Sequence, residues 1–387
     1  MIYLTDQAVS AIMLRCTTQS VQRFPQPESI LVTAPLPPTL FFPHPVIPAP
    51  GRVIEVAPGV LWLRMPLPFA LDHINLWLLA DEIDGVKGWT AIDCGYGNAA
   101  TRALWQTHFA ENFGGLPLLR VVATHFHPDH MGNAAWLLGH CLGNDPLLWA
   151  TQAEFYTAHL VWNQLVQFRM EDNAAFFRRH GMPQAAAEHH AARGNLYRSA
   201  VPELPQRYRR IVGGNTLSIG GREWDTIIGL GHAPEHVSFH CRELNVLISG
   251  DMLLPKISTN VSVWANDPDG DPLKLFLDSI GQYTSLPDDA LVLPSHGLPF
   301  VGIRARVKAL ADHHRDRLAE LQTAASAPVT AHDLLPVLFR RKLDVQQQFF
   351  AMGEAIAHLN HLWHHGRMQR ALGHDGVVRF SSIPHQE

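Results

Sequence analysis

Thr124-His125-Phe126-His127-Pro128-Asp129-His130 decides how this chain folds. It follows LPLLRVVA (116–123), a short apolar run suited to a strand buried on both faces. The spacing predicts His125 and His127 as alternate residues of an extended segment, with Asp129 and His130 in the turn into a helix. Pro128 rules out a continuous helix through the motif, so this is not the helical HExxH arrangement. Imidazole and carboxylate are both strong ligands for zinc, and one loop of this composition can serve two cations.

Three further segments place polar residues where apolar strands end. His232 and His236 lie in Gly231-His232-Ala233-Pro234-Glu235-His236 after TIIGL, Asp251 follows NVLISG, and His296 follows ALVLPS. Chain reversals can bring such ends to one rim, where layered α/β proteins commonly place their ligand sites. A lone HxH reads equally well as surface polarity; the full set does not.

His125, His127, Asp129 and His130, followed by His232, Asp251 and His296, resemble the metal-ligand pattern of the metallo-beta-lactamase-fold hydrolases, over residues 52 to 302. The resemblance implies an α/β fold, a four-layer αββα sandwich. It implies His125, His127 and His232 on one zinc, Asp129, His130 and His296 on another, and Asp251 bridging them. Asp93 in AIDCG resembles the buried aspartate that this family keeps near its metals, and a turn cap is the other reading of it. His236 resembles a histidine usually outside the metal's own ligands, with a substrate-side catalytic role and a local structural role equally open. Glu235 receives no role. Two divalent cations are implied, zinc first, with iron or manganese as alternatives; His127 at the second motif position speaks for the dizinc rather than the diiron pattern. No nucleotide-binding fingerprint calls for NAD, FAD or ATP.

With 387 residues the chain has room for two or three domains. Residues 1–51 are a proline-rich arm, with Pro35, Pro37, Pro38, Pro43, Pro45, Pro48 and Pro50 interrupting regular structure. Residues 52–302 form the catalytic domain: β-rich runs with Asp84-Gly85 as a hairpin turn, a helix from 99 to 113, a mostly helical insertion around 133–200, then short strands again. That insertion either covers the site's mouth or supports the scaffold. Residues 303–387 read as a separate small α+β domain of three helices and a hairpin around His374-Asp375-Gly376. It is similar to the winged-helix tail of some of these hydrolases, including members acting on RNA. Met352, Ala355, Ile356, Leu359 and Leu362 make an apolar stripe, which favours packing on the hydrolase or a second subunit over insertion into a nucleic-acid groove. Arg340, Arg341 and Lys342 read as a solvated helix end; Arg367 and Arg370 would add phosphate contacts if they faced one side.

Thirty Lys and Arg against thirty-five Asp and Glu supply no overall attraction for a polyanion. The four scattered cysteines, Cys16, Cys94, Cys141 and Cys241, include no CxxC pair, and neither a secretion signal nor a transmembrane run stands out, so the reading is cytoplasmic and away from membranes. The leading function is a zinc-dependent hydrolase that attacks a small acyl ester or thioester with metal-held hydroxide, Asp129 orienting it or taking its proton. A ribonuclease or phosphodiesterase is the alternative, with RNA as partner; beta-lactamase, lactonase and a non-enzymatic nucleic-acid-binding regulator rank lower. A homo-dimer is compatible with the arm and the apolar tail helices.

Overall fold

The structure, a computed structural model, describes residues 40–69 and 71–383. The arm's first 39 residues, with Cys16 and the prolines at 35, 37 and 38, lie outside the described residues.

Seven strands form one sheet in chain order: β1 (Ile54–Ala57), β2 (Val60–Pro66), β3 (His73–Ile83), β4 (Val86–Ile92), β5 (Leu118–Val122), β6 (Leu148–Thr151) and β7 (Tyr208–Ile211). A second sheet has the order β12-β11-β10-β9-β8, with β8 (Thr216–Ile219), β9 (Arg222–Gly229), β10 (His236–Cys241), β11 (Val246–Gly250) and β12 (Leu291–Pro294). The β3–β4 hairpin turns on Asp84 and Gly85, both at positive φ (52° and 78°), as a two-residue turn of this hand requires.

Alternation along the strands explains the layers. In β3, Ile74, Leu76 and Leu78 enter an outer core while Trp77 and Leu79 enter the core between the sheets. In β11, Val246 and Ile248 face the inter-sheet core and Leu247 the opposite outer core. Each central strand is thus apolar on both faces and needs helices outside it. Around the first sheet lie α1 (Ala99–Glu111), α2 (Pro128–Met131), α3 (Ala134–Leu138) and α4 (Gln152–Trp162). Next in the chain come α5 (Met170–Arg179), α6 (Gln184–Ala191), α7 (Leu196–Ala200) and α8 (Pro272–Gln282), and then the tail. The arrangement matches the expected mixed α/β sandwich.

Two strands escape the sequence reading. β6 falls inside the stretch read as helical, because a four-residue apolar run next to a helix carries no usable period. β7 is the basic edge strand Tyr208-Arg209-Arg210-Ile211, whose exposed arginines discourage edge-to-edge pairing. Thr124–His127 is a series of bends and not the predicted extended segment, with β5 ending at Val122.

The tail comprises α9 (Ile303–Ala324), α10 (Leu335–Leu338), α11 (Val345–His364) and a hairpin of β13 (Met368–Leu372) and β14 (Val378–Ser382). Thr330 and Asp333 exchange reciprocal caps before α10. All five residues of the α11 stripe are fully buried, and they share one core with Leu247, Val292, Phe276 of α8 and Phe380 of β14. The tail therefore packs on the outer face of the second sheet. Val301 pairs through its backbone with Phe41, which fixes the end of the arm to the same layer. No helix among the described residues is long and apolar enough to cross a membrane.

Candidate metal centre

Five strand ends meet at one rim. Asp93 follows β4, the 125–130 motif follows β5, His232 follows β9, Asp251 follows β11 and His296 follows β12. The seven residues singled out in sequence form two groups, His125, His127, His232 and Asp251 in one and Asp129, His130 and His296 in the other.

The separations have the scale of a coordination shell. His125 Nε2 lies 2.9 Å from His127 Nδ1 and 3.2 Å from His232 Nε2, which is 3.3 Å from Asp251 Oδ2. In the second group, His296 Nε2 and His130 Nε2 stand 3.5 and 3.7 Å from Asp129 Oδ2. The other oxygen of Asp251, Oδ1, is 3.5 Å from His130 Nε2 and 3.4 Å from His296 Nε2. Donors held at 2.0–2.1 Å around one tetrahedral zinc would be about 3.3 Å apart. Asp251 thus turns one oxygen to each group.

The donor set fits cations on independent grounds. His130 Nε2 and Asp251 Oδ1 are buried without a hydrogen-bond partner, although an unsatisfied buried polar atom costs about 1–3 kcal/mol. Three imidazoles have their far nitrogen engaged: His130 Nδ1 with Asp93 Oδ2 at 2.7 Å, His232 Nδ1 with the Asn260 carbonyl at 2.8 Å, and His296 Nδ1 with the His73 carbonyl at 2.8 Å. A ring that donates at Nδ1 presents its Nε2 lone pair to the centre. Burial, then neighbouring imidazoles, hold His125 well below the usual histidine range, so it stays neutral. Burial acts the same way on His130 but is outweighed by Asp93, Asp129 and Asp251, which raise it; a cation arriving there displaces a proton.

Asp93 stands outside both donor groups, against the far nitrogen of His130, where it can orient that ring. Its Oδ1 accepts from the Thr124 amide (2.7 Å) and hydroxyl (2.9 Å) while Oδ2 takes the His130 proton, and its backbone is held at φ 66° to do so. Asp93→Asn replaces an acceptor of that proton with an amide, and metal affinity is expected to fall by about 10- to 100-fold. Chelator competition measures it; unchanged affinity would remove Asp93 from this role.

His236 lies behind the centre. It is fully buried and outside the cleft's lining, and its Nε2 accepts from the Asp251 amide at 3.1 Å. Burial pushes the ring down to about 3, which keeps that acceptor available. Glu235 caps α4: its carboxylate accepts from Ala153 N at 3.0 Å. The reciprocal bond comes from Glu154, unnoticed in sequence, whose buried carboxylate accepts from Glu235 N (2.6 Å) and Phe126 N (2.9 Å) and so ties both histidine loops together. Burial pushes the Glu154 carboxyl up to about 7, with those two amides opposing the shift. A solitary glutamate on a helix offers no sequence signal for this.

A cleft of about 450 Å³ opens onto His232, Asp251 and His296. Among the described residues, its lining comes from the 71–73 turn, the 254–260 loop, α9 and the α10–α11 segment, and none from 133–200. The tail, not the helical insertion, walls this cleft. Three arginines in and beside the tail's hairpin have partners: Arg370 with Asp269 at 2.6 Å, Arg379 with Asp375 at 2.7 Å, and Arg367 with Gln322.

Residues 71–296 match the metallo-beta-lactamase superfamily, and residues 318–383 match a family described as metallo-beta-lactamase-like, C-terminal domain. The latter match lends nothing to the winged-helix likeness read for the tail. YqjP of Bacillus subtilis (strain 168), described as a probable metallo-hydrolase, is 26% identical over 318 residues, covering 78% of this chain and 91% of that protein. Among solved structures, a beta-lactamase domain protein from Burkholderia ambifaria is 47% identical with a TM-score of 0.84, over 89% of this chain and 98% of that one. A metallo-beta-lactamase family protein from Thermus thermophilus is 30% identical with a TM-score of 0.71, over 85% and 100%.

Proposed function

The chain belongs to the metallo-beta-lactamase superfamily, and from that premise we propose that it is a binuclear metal-dependent hydrolase of a small acyl ester or thioester. One observation carries the reading: two donor groups share Asp251 at the floor of a small-molecule-sized cleft. His125, His127, His232 and Asp251 would hold one cation, and Asp129, His130, His296 and Asp251 the other, with zinc favoured by the five imidazoles. Bound there, a pair of divalent cations supplies hydroxide near neutral pH and offsets the negative charge that develops on a substrate oxygen.

The chain's own residues do the rest. Asp93, Asn260 and His73 hold the imidazoles in place, while His236 fixes Asp251 through its amide. Of the two carboxylates in the centre, Asp129 is the more exposed, with 18% of its side chain accessible against 10% for Asp251. It is the group placed to orient the attacking water and take up its proton. Acyl chemistry is favoured over RNA because the tail buries its apolar helix face and neutralises its hairpin arginines.

Metal quantification on active protein, with a panel of thioesters, esters, lactones, beta-lactams, phosphodiesters and RNA, tests this. About two equivalents of metal with fastest turnover of an ester or thioester is the expected result. Preferential cleavage of single-stranded RNA with little acyl hydrolysis would replace the acyl reading by the ribonuclease one.

A further inference from the structure

Arg340, Arg341 and Lys342 do not stay together as one solvated helix end. Arg340 is exposed and reaches Glu320 at 3.4 Å, and Lys342 is exposed as well. Arg341 turns inward, into the cleft that also reaches His232, Asp251 and His296. Its Nε and Nη2 are buried and have no hydrogen-bond partner. Leaving guanidinium donors desolvated and unpaired is unfavourable, so an acceptor brought into the cleft would be stabilised there.

The surroundings leave an anion as the complement. Arg317, on α9, lines the same cleft; it is tied through Nη2 to Glu320, while its own Nε is buried and unpartnered. Of the cleft carboxylates outside the metal centre, Asp72 is paired with His73. The other, Glu354, has its carboxyl pushed up to about 7 by burial, so near neutrality it is only partly ionised. Phe339, Leu343 and Phe350 supply apolar wall between the polar groups. A guanidinium that lines a cleft without an acceptor among the described residues has the chemistry to pair with an oxyanion such as a carboxylate or phosphate.

We propose that Arg341, with Arg317 in support, anchors an anionic group on the part of the substrate remote from the bond that is cleaved, which makes the substrate an acidic acyl ester or thioester. This rests on the hydrolase reading above. It assigns the tail a part in choosing substrates, through a side chain whose Nε and Nη2 have no partner among the described residues.

The test uses three S-acetyl thioesters with different far ends: 3-mercaptopropanol, 3-mercaptopropionate and 3-mercaptopropyl phosphate. Full-length, metal-loaded protein should favour one or both anionic thioesters, and which of them distinguishes carboxylate from phosphate. In Arg341→Gln the ratio of anionic to neutral kcat/KM should fall by about 10- to 100-fold, chiefly through KM, as loss of a charge-assisted hydrogen bond predicts. Arg341→Lys should restore part of that ratio. Calorimetric titration with butyl phosphate, butyrate and butanol gives a readout free of turnover, and the anions should bind more weakly to the glutamine variant by a similar factor. Hydrolysis of all three thioesters at a ratio unmoved by either substitution would overturn the anchor and leave the hydrolase intact. No thioester hydrolysis, with anion binding still dependent on Arg341, would overturn the acyl reading and leave the anchor.

Discussion

Asp251→Ala is expected to lower kcat/KM by about a thousandfold or more, equivalent to about 4 kcal/mol of barrier. No other side chain in the centre faces both donor groups: Oδ2 stands 3.3 Å from His232, and Oδ1 stands 3.5 and 3.4 Å from His130 and His296. Alanine takes one oxygen from each group together with the negative charge that offsets two cations. Asp251 is almost fully buried, and the imidazoles around it hold its carboxyl well below the usual range despite the opposing effect of burial. The variant should therefore lose metal as well as turnover while its circular dichroism spectrum is retained, since the three hydrophobic cores do not include this residue. Full activity with full metal content in Asp251→Ala would end the binuclear account.

Gly250→Ala should be among the most destabilising single-methyl additions in the chain. Gly250 sits at φ 55°, and a Cβ there would lie 2.2 Å from His236 Nε2 and 2.5 Å from its Cε1. His236 is fully buried and holds the neighbouring Asp251 amide, so it has no free space to yield. Overpacking of about 1–3 kcal/mol and the left-handed backbone at about 1–2 kcal/mol both apply. Gly376→Ala is the control, at φ 74° with nothing within 4 Å, where only the backbone contribution remains. Thermal unfolding should show a clearly larger Tm loss for Gly250→Ala, accompanied by reduced metal affinity. Equal shifts would mean that the His236 contact yields freely.

Much of this centre was readable from the residues alone, and the reason is physical. A metal needs particular donor atoms at short range, so the donors leave a compositional trace: an HxHxDH loop after an apolar strand, then a polar residue at each of three later strand ends. The β3–β4 hairpin was readable because Asp84-Gly85 satisfies a backbone requirement on its own. What escaped was whatever depends on contacts between distant segments. β6 is too short to display a period. Glu154 is an ordinary helical glutamate until the fold brings the amides of Phe126 and Glu235 to it. His236 cannot be placed on the cleft side or the buried side from its spacing alone, because its bond to the Asp251 amide joins two strands. Arg341 differs from Arg340 only in which way the chain turns after α10.

The centre draws its donors from both halves of the sandwich, His125, His127, Asp129 and His130 from a loop of the first sheet and His232, Asp251 and His296 from loops of the second. Ions bound there would act as a clasp across the seam. A chelator should affect this protein much as a reductant affects a disulfide-linked one, loosening the join between its sheets as well as silencing it. Metal supply would then govern how long the chain endures, independently of how fast it works.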